Sequence, residues 1–152
     1  MEIQIRSYRP SDCRETAALF YRTVRTVNRK DYSEEQVRAW APEKMDLENW
    51  KESFTGHFAL VAVAGEQIVG FGDIAQDGYL DRLFVHRDYQ RRGIGTAICD
   101  LLEQMAGTDT LCTHASITAR NFFEKRGYLV LREQQAERRG VLLANFVMEK
   151  RR

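Results

Sequence analysis

A mixed α/β sheet with helices on both faces is the fold class this chain predicts, and three observations predict it. Short β-prone runs recur along the whole length, amphipathic stretches at helical spacing fall between them, and one basic, glycine-containing loop joins a strand to a helix. The chain has 152 residues, enough for one domain with a proper core, and the expected unit is residues 1–152.

The elements follow in order. Ile3-Gln4-Ile5-Arg6 alternates as a half-buried strand does. Arg9-Pro10-Ser11-Asp12 supplies a turn and an N-cap before the helical stripe Ala17, Ala18, Phe20, Tyr21, Val24 and Val27. Ser33 with Gln36 has capping-box spacing for a second helix reaching Trp40, and Pro42 ends it. Asp46 caps a further helical turn carrying Trp50 and Phe54. Strands at Phe58–Ala64 and Gln67–Ile74 are joined by a tight turn at Gly65-Glu66, and a turn at Gly78 leads into the strand Tyr79–Val85. Ala97, Ile98, Leu101, Leu102 and Met105 recur at helical spacing. A strand at Thr110–Ala115, a helix from Thr118 to Arg126 and closing strands at Tyr128–Gln134 and Val141–Glu149 complete a seven-stranded sheet flanked by about four helices.

Gln90-Arg91-Arg92-Gly93-Ile94-Gly95-Thr96 is the most informative stretch. Glycines at a helix start let backbone N–H groups approach a ligand, and the first helical turn leaves its N–H groups unpaired at the positive end of the macrodipole. That combination binds phosphate. Arg91 and Arg92 add charge and Thr96 a hydroxyl donor. A P-loop is excluded, because no Gly-Lys pair occurs. The dinucleotide fingerprint is disfavoured, because Ile98 stands where a third small residue is needed and the loop lies past mid-chain.

A Gln/Arg-x-x-Gly-x-Gly/Ala loop after a strand resembles the acetyl-CoA loop of the GCN5-related N-acetyltransferases, the GNAT family. Gln67-Ile68-Val69-Gly70-Phe71-Gly72-Asp73-Ile74 is similar to that family's third strand, and Leu83-Phe84-Val85-His86 to the end of its fourth. Phe122-Phe123-Glu124-Lys125-Arg126-Gly127-Tyr128 matches its aromatic-aromatic-Glu-Lys-x-Gly-Phe segment. The resemblance runs from Ile3 to Lys150. Tyr32-Ser33-x-x-Gln36-x-x-x-Trp40-Ala41-Pro42, the Asp77–Leu83 segment and Glu137-Arg138-Arg139-Gly140-Val141 resemble its YafP-like branch.

The resemblance implies a GNAT-type acyl-CoA N-acyltransferase fold in which the fourth and fifth strands splay apart. It implies acetyl-CoA as co-substrate and an amine of a small molecule or protein as acceptor, attacked directly in a ternary complex. Arg91, Arg92, Gly93, Ile94, Gly95 and Thr96 would take the pyrophosphate, and main-chain groups of Leu83, Phe84 and Val85 the pantetheine and thioester. Ser116 stands where relatives carry a pantetheine-binding Asn, and a helix N-cap is its alternative role. Asn121 is a further cofactor candidate. Phe123 replaces the Tyr that in relatives reprotonates the departing thiolate, which leaves a non-catalytic acyl-CoA-binding module as the alternative function. Trp40, Trp50 and Tyr32 would wall the acceptor pocket or serve the core.

For proton transfer, strict strand alternation puts Tyr79, Asp81 and Leu83 on one face and Leu80, Arg82 and Phe84 on the other. Tyr79 and Asp81 are the catalytic candidates, with an ion pair to Arg82 as the competing role for Asp81. Asp73 and His114 are further candidates, a solvated place near a turn being the alternative for Asp73 and a packed one for His114. Tyr128 aligns with a core Phe.

Composition limits the alternatives. Net charge is +1, so no global field draws the chain to nucleic acid or membrane, and Lys150-Arg151-Arg152 is expected to be a solvated tail. Three cysteines, Cys13, Cys99 and Cys112, lie far apart with no ligand spacing, which predicts neither disulfide nor metal site, with Cys99 and Cys112 as buried hydrophobes. No apolar leader follows Met1, so a cytoplasmic protein is expected, and a homodimer is compatible with the reading.

Overall fold

The computed structural model describes residues 2–152. Its seven strands, β1 (Ile3–Ser7), β2 (His57–Ala64), β3 (Gln67–Ala75), β4 (Tyr79–Val85), β5 (Thr110–Ser116), β6 (Leu129–Arg138) and β7 (Val141–Arg151), form one sheet. Spatial order is β1-β2-β3-β4-β5-β7-β6. Every neighbouring pair is antiparallel except β4 and β5. Gly65-Glu66 closes the β2–β3 hairpin, as its turn residues predict. Arg139 and Gly140 close the β6–β7 hairpin with φ of 49° and 80°, the left-handed pair that a two-residue turn needs.

Helices cover both faces. On one side lie α1 (Cys13–Thr26), α2 (Glu34–Trp40) and α3 (Leu47–Glu52), packing Phe20, Val24, Trp50 and Phe54 against Val61, Phe71 and Leu143. The capping box of Ser33 and Gln36 forms as its spacing predicts, and Asp46 Oδ1 accepts from the Asn49 N–H to start α3. Asp12 precedes α1, but its carboxylate serves Arg6 and the Arg9 N–H instead of capping the helix.

On the other side lie α4 (Ile94–Ala106) and α5 (Arg120–Lys125). α4 buries Ile94, Ile98, Cys99 and Leu102. Leu101 and Met105, expected on its apolar stripe, are each 40% exposed, because the buried face is centred on Ile98 and Leu102. The helix can lie this close because β3 offers glycine: a Cβ on Gly72 would stand 3.0 Å from both Ile98 Cγ2 and the Arg82 carbonyl. Cys99 is fully buried, which pushes its thiol up to about 12; Cys112 is only half-buried.

Two features of β4 position everything that follows. It pairs with β5 only at Tyr79–Cys112 and Leu80–Thr113, after which the strands diverge, although each runs on for several residues. Against β3, Asp73 faces Arg82 but Ile74 faces Leu80, so Asp81 is an extra residue bulged out of the ladder. The bulge corrects the expected alternation. Arg82 and Phe84 share with Asp81 and Tyr79 the side facing α1 to α3, while Leu80, Leu83 and Val85 pack toward α4. One inserted residue inverts the period-two pattern beyond it.

A buried ionic cluster ties α4 to the C-terminal strands. Glu103, 5% exposed, accepts from Tyr128 Oη at 2.9 Å, Arg126 Nε at 3.1 Å and Lys150 Nζ at 3.3 Å. Burial, then the Glu103 charge, raises the Tyr128 phenol. Lys150 and Arg151 therefore belong to β7 rather than to a tail, although the Arg151 side chain is in solvent as expected, and Arg152 follows with a bond to the Thr108 carbonyl. Glu103→Ala would remove the acceptor shared by Tyr128, Arg126 and Lys150, leaving Arg126 only its contact with Asp100 at 2.9 Å, and should cost about 1–3 kcal/mol. Tyr128→Phe, losing one bond, should cost about 1 kcal/mol. Urea unfolding midpoints check both.

Candidate active site

Where β4 and β5 part, two cavities open. The first, of about 360 Å³, runs under the loop that starts α4 and is lined by Leu83, Phe84, Val85, Arg91, Gly93, Ile94, Gly95 and Thr96. Arg91 and Gly93 both take positive φ, 61° and 79°, so the loop folds back on itself and its backbone turns toward the groove. No side chain caps α4 at Gly93, which leaves the first-turn N–H groups for a ligand. At Gly95 an added Cβ would meet the Phe122 ring at 3.4 Å and Leu83 at 3.7 Å, so glycine keeps the groove open there.

The groove also holds two residues that sequence reasoning passed over. Thr23, on α1, and Asn28, just beyond it, line it from the other side, and Thr23 Oγ1 and Asn28 Oδ1 are buried without a hydrogen-bond partner. Buried polar atoms are normally satisfied, so these two stand out in the groove lining as acceptors without a partner among the described residues. Their only sequence signal was polarity within and just after an otherwise apolar helical stripe.

The second cavity, of about 420 Å³, lies on the α1–α3 side of β4. Phe20, Tyr32, Trp40 and Trp50 form one wall and pack on one another, Trp40 edge to face with Phe20 and Tyr32, and Trp50 tilted against Phe20, so the pocket and core roles of these aromatics coincide. The β6–β7 hairpin forms the other, through Ala136, Arg138, Arg139, Leu143, Ala144 and Asn145. α2 holds that hairpin in place: Tyr32 Oη donates to the Ala144 carbonyl at 2.7 Å, Gln36 Nε2 to Leu142 O at 2.9 Å and Arg139 Nη1 to Ala39 O at 2.7 Å.

Tyr79, Asp81 and His114 line this pocket together. Tyr79 and His114 meet edge to face with centroids 5.1 Å apart. Burial pushes the Tyr79 phenol up to about 12, so it stays protonated and is a donor rather than a base. Burial lowers His114 below its ordinary value, assisted by Arg132, and Gln134 Nε2 donates to its Nδ1 at 3.3 Å. The Asp81 carboxylate is open to the pocket but ringed by protein; desolvation, then the Asp73 charge, raises it.

Beneath Asp81 lies a charge network. Asp73 is not a solvated residue near a turn; it is fully buried. Its oxygens accept from Arg82 Nη2 at 2.6 Å and Nε at 3.0 Å, and from His57 Nδ1 at 2.8 Å. Arg82 also donates to Ser53 Oγ at 2.7 Å and lies over the Trp50 and Phe54 rings at 4.8 and 4.1 Å. Arg82 therefore pairs with Asp73 and leaves Asp81 without an ion pair. The bond to Asp73 raises His57, against the cost of its burial. His57, Asp73 and Asp81 place ligating atoms within 4.8 Å of one another, but Arg82 and His57 already engage both Asp73 oxygens, which makes this an ion-pair network rather than a cation cage.

Ser116 lines both cavities. Its Oγ accepts from the Ala119 N–H at 3.1 Å within the turn before α5, whose N-cap position is Ala119 and not Ser116 as the capping alternative expected, while the hydroxyl hydrogen remains available as a donor. Other named residues fall outside the groove lining. Asn121 is exposed on α5, and Arg92 lies over the Tyr89 ring at 4.9 Å. Phe123 is 3% exposed and packs on Tyr128, whereas Phe122 faces the groove. No helix among the described residues is long and apolar enough to cross a membrane.

Comparison with known proteins agrees with this architecture. Residues 28–150 match the model of the acetyltransferase (GNAT) domain. The chain is similar to the uncharacterized N-acetyltransferase YafP of Escherichia coli (strain K12), 38% identical over 146 residues that span 96% of this chain and 94% of that protein. A GCN5-related N-acetyltransferase of Rhodopseudomonas palustris superposes with a TM-score of 0.94 at 35% identity, over 100% of this chain and 97% of the other. The PaiA N-acetyltransferase of Thermoplasma acidophilum, crystallised with coenzyme A, shares the fold at a TM-score of 0.79 and 22% identity, over 100% of each chain. By sequence and by fold alike, the chain belongs to the GNAT family of acetyltransferases.

Proposed function

We propose that this acetyltransferase uses acetyl-CoA and passes the acetyl group directly to an amine held in the aromatic-walled pocket. The observation that carries the reading is the junction of the two cavities at Ser116, in the gap where β4 and β5 stop pairing. One cavity has the chemistry for a phosphorylated, amide-bearing arm; the other has a carboxylate for a proton. A donor and an acceptor seated in them would meet without an enzyme-bound acyl group. The cysteines support this. Cys99 is buried with its thiol pushed up, and neither Cys13 nor Cys112 lines either cavity, so no activated thiol faces the junction.

Acetyl-CoA supplies an activated thioester carbonyl when bound. The residues of this chain bind, orient and move a proton. N–H groups from Arg91 to Thr96 receive the pyrophosphate at the positive end of α4, with Arg91 and Arg92 adding charge. Thr23 Oγ1 and Asn28 Oδ1 meet amide groups of the arm, Ser116 donates to it, and the backbone of Leu83, Phe84 and Val85, freed from pairing with β5, aligns the thioester. Asn121 is kept only as a contact that would require the cofactor to reach across α5.

Asp81 takes the proton from the incoming ammonium. Its raised affinity for protons makes it a better base than an exposed carboxylate, and Tyr79, protonated at all physiological pH, donates a hydrogen bond that orients the acceptor. With Phe123 in the core, the thiolate departs without a proton from α5. A thiol of ordinary pKa is a tolerable leaving anion.

Acetyl-CoA should stabilise the fold by about 2.7 kcal/mol at roughly a hundred times its dissociation constant, read as a thermal shift. Gly95→Asp, which adds a carboxylate beside the pyrophosphate, should fold and lose that shift; a folded variant that still binds CoA as tightly overturns the assignment of this loop. Asp81→Asn should lower turnover most near neutral pH and less at alkaline pH, where more of the amine is already neutral. The same variant should be more stable at neutral pH. A carboxyl whose folded-state pKa is raised disfavours folding once ionised, so the penalty is absent below its unfolded pKa and grows as pH rises through the folded one. Melting curves at acid and neutral pH, beside the pH–rate profile, check the pair; an unchanged profile removes Asp81 as the base.

A further inference from the structure

The acceptor pocket carries opposite charges at separate places, each without a protein partner. Asp81 forms no ion pair or hydrogen bond among the described residues, and Asn145 Oδ1, which lines the same pocket, is a buried acceptor likewise without a donor. Both atoms call for N–H groups. Farther along the hairpin wall, at its tip, Arg138 and Arg139 donate only to the backbone carbonyls of Glu137 and Ala39, and neither is paired with a carboxylate among the described residues. Arg138 and Arg139 line the same pocket as Tyr79, Asp81 and His114.

A plain hydrophobic amine would satisfy Asp81 and the aromatic wall but leave two guanidinium groups with unused donors. A polyamine would bring more positive charge toward them. A ligand with an ammonium at one end and a carboxylate at the other satisfies both sets, and Arg binds a carboxylate with its planar donor fork. The wall of Trp40 and Trp50 takes an apolar or aromatic body, and about 420 Å³ suits a small molecule.

Building on the acetyl-transfer reading above, we infer that the acceptor is a free amino acid with an apolar or aromatic side chain, its ammonium directed to Asp81 and Asn145 and its carboxylate to Arg138 and Arg139. The balanced reaction is N-acetylation. The ammonium gives one proton to Asp81, the neutral nitrogen bonds the acyl carbon as the C–S bond breaks, the nitrogen releases its second proton to solvent as the amide forms, and CoA leaves as the thiolate that recovers a proton from solvent.

Matched pairs test this: L-phenylalanine against phenethylamine, and L-tryptophan against tryptamine. Each is titrated calorimetrically into the protein with and without CoA, and each is assayed for thiol release with acetyl-CoA. The acids should bind about tenfold or more tightly than the amines that lack only the carboxylate. The double variant R138A/R139G should abolish that advantage and collapse the ratio of kcat/KM between acid and amine. Glycine suits the positive φ at position 139, so the turn is preserved, and a melting curve of the variant checks the fold. Amines binding as tightly as acids, an acid preference that survives in the double variant, or no binding of either acid at millimolar concentration overturns the inference. Tight binding of the acids without thiol release supports it and overturns the acetyl-transfer reading instead, so the two fail separately.

Discussion

Two adjacent parallel strands must either exchange hydrogen bonds or leave their facing backbones to something else. In this protein β4 and β5 pair at two positions and then part, with Thr113 Oγ1 bonding the Leu80 carbonyl at 2.8 Å at the end of the paired stretch. Everything functional hangs on that parting. It frees the backbone of Leu83, Phe84 and Val85, sets Ser116 at the head of the opening, and lets the loop before α4 stand over one side while the aromatic cluster stands over the other. Unpaired backbone in a sheet interior is costly. A site built there is one that a ligand completes.

The bulge at Asp81 is the second device, and the Asp73–Arg82 pair beneath it holds it. Were the strand regular, Asp81 and Arg82 would point to opposite faces. Because it is bulged, both lie on the pocket side, where they could pair with each other. Asp73, fully buried on the neighbouring strand, claims Arg82 with two oxygens and leaves Asp81 in a crowded anionic setting. A buried ion pair contributes little net stability, but it decides which carboxylate is neutralised and which is left without a cation partner among the described residues. The same arrangement therefore trades local stability for basicity, a pattern expected of sites under functional constraint.

How much of this the amino-acid order shows depends on the range of the interaction. The glycine loop, the Ser33–Gln36 box, the Asp46 cap and the Gly65-Glu66 turn were legible because each is a local device with few residues and one conformation. The family resemblance added the cofactor and the expected splay. The faces of β4 beyond Leu80 were read wrongly, since a bulge is defined by what the partner strand does and leaves no mark in the residues of its own. Thr23, Asn28 and the hairpin residues Arg138, Arg139 and Asn145 were not singled out for either cavity, because only the tertiary fold brings them there. Asp73 was seen as a candidate but not as a buried one: nothing within β3 tells which of its polar residues stands opposite an arginine on the neighbouring strand.

The hydroxyl of Tyr32 has a place that reaches beyond packing. It donates to the Ala144 carbonyl on β7 and accepts the Ile117 N–H from the turn that follows β5. One phenol thus acts as a strut between the hairpin that walls the acceptor side and the turn that edges the cofactor groove. Burial keeps it protonated, so the strut holds at physiological pH. The walls of the two cavities therefore share one anchor, and loss of this single hydroxyl would loosen the acceptor-side hairpin and the cofactor-side turn together.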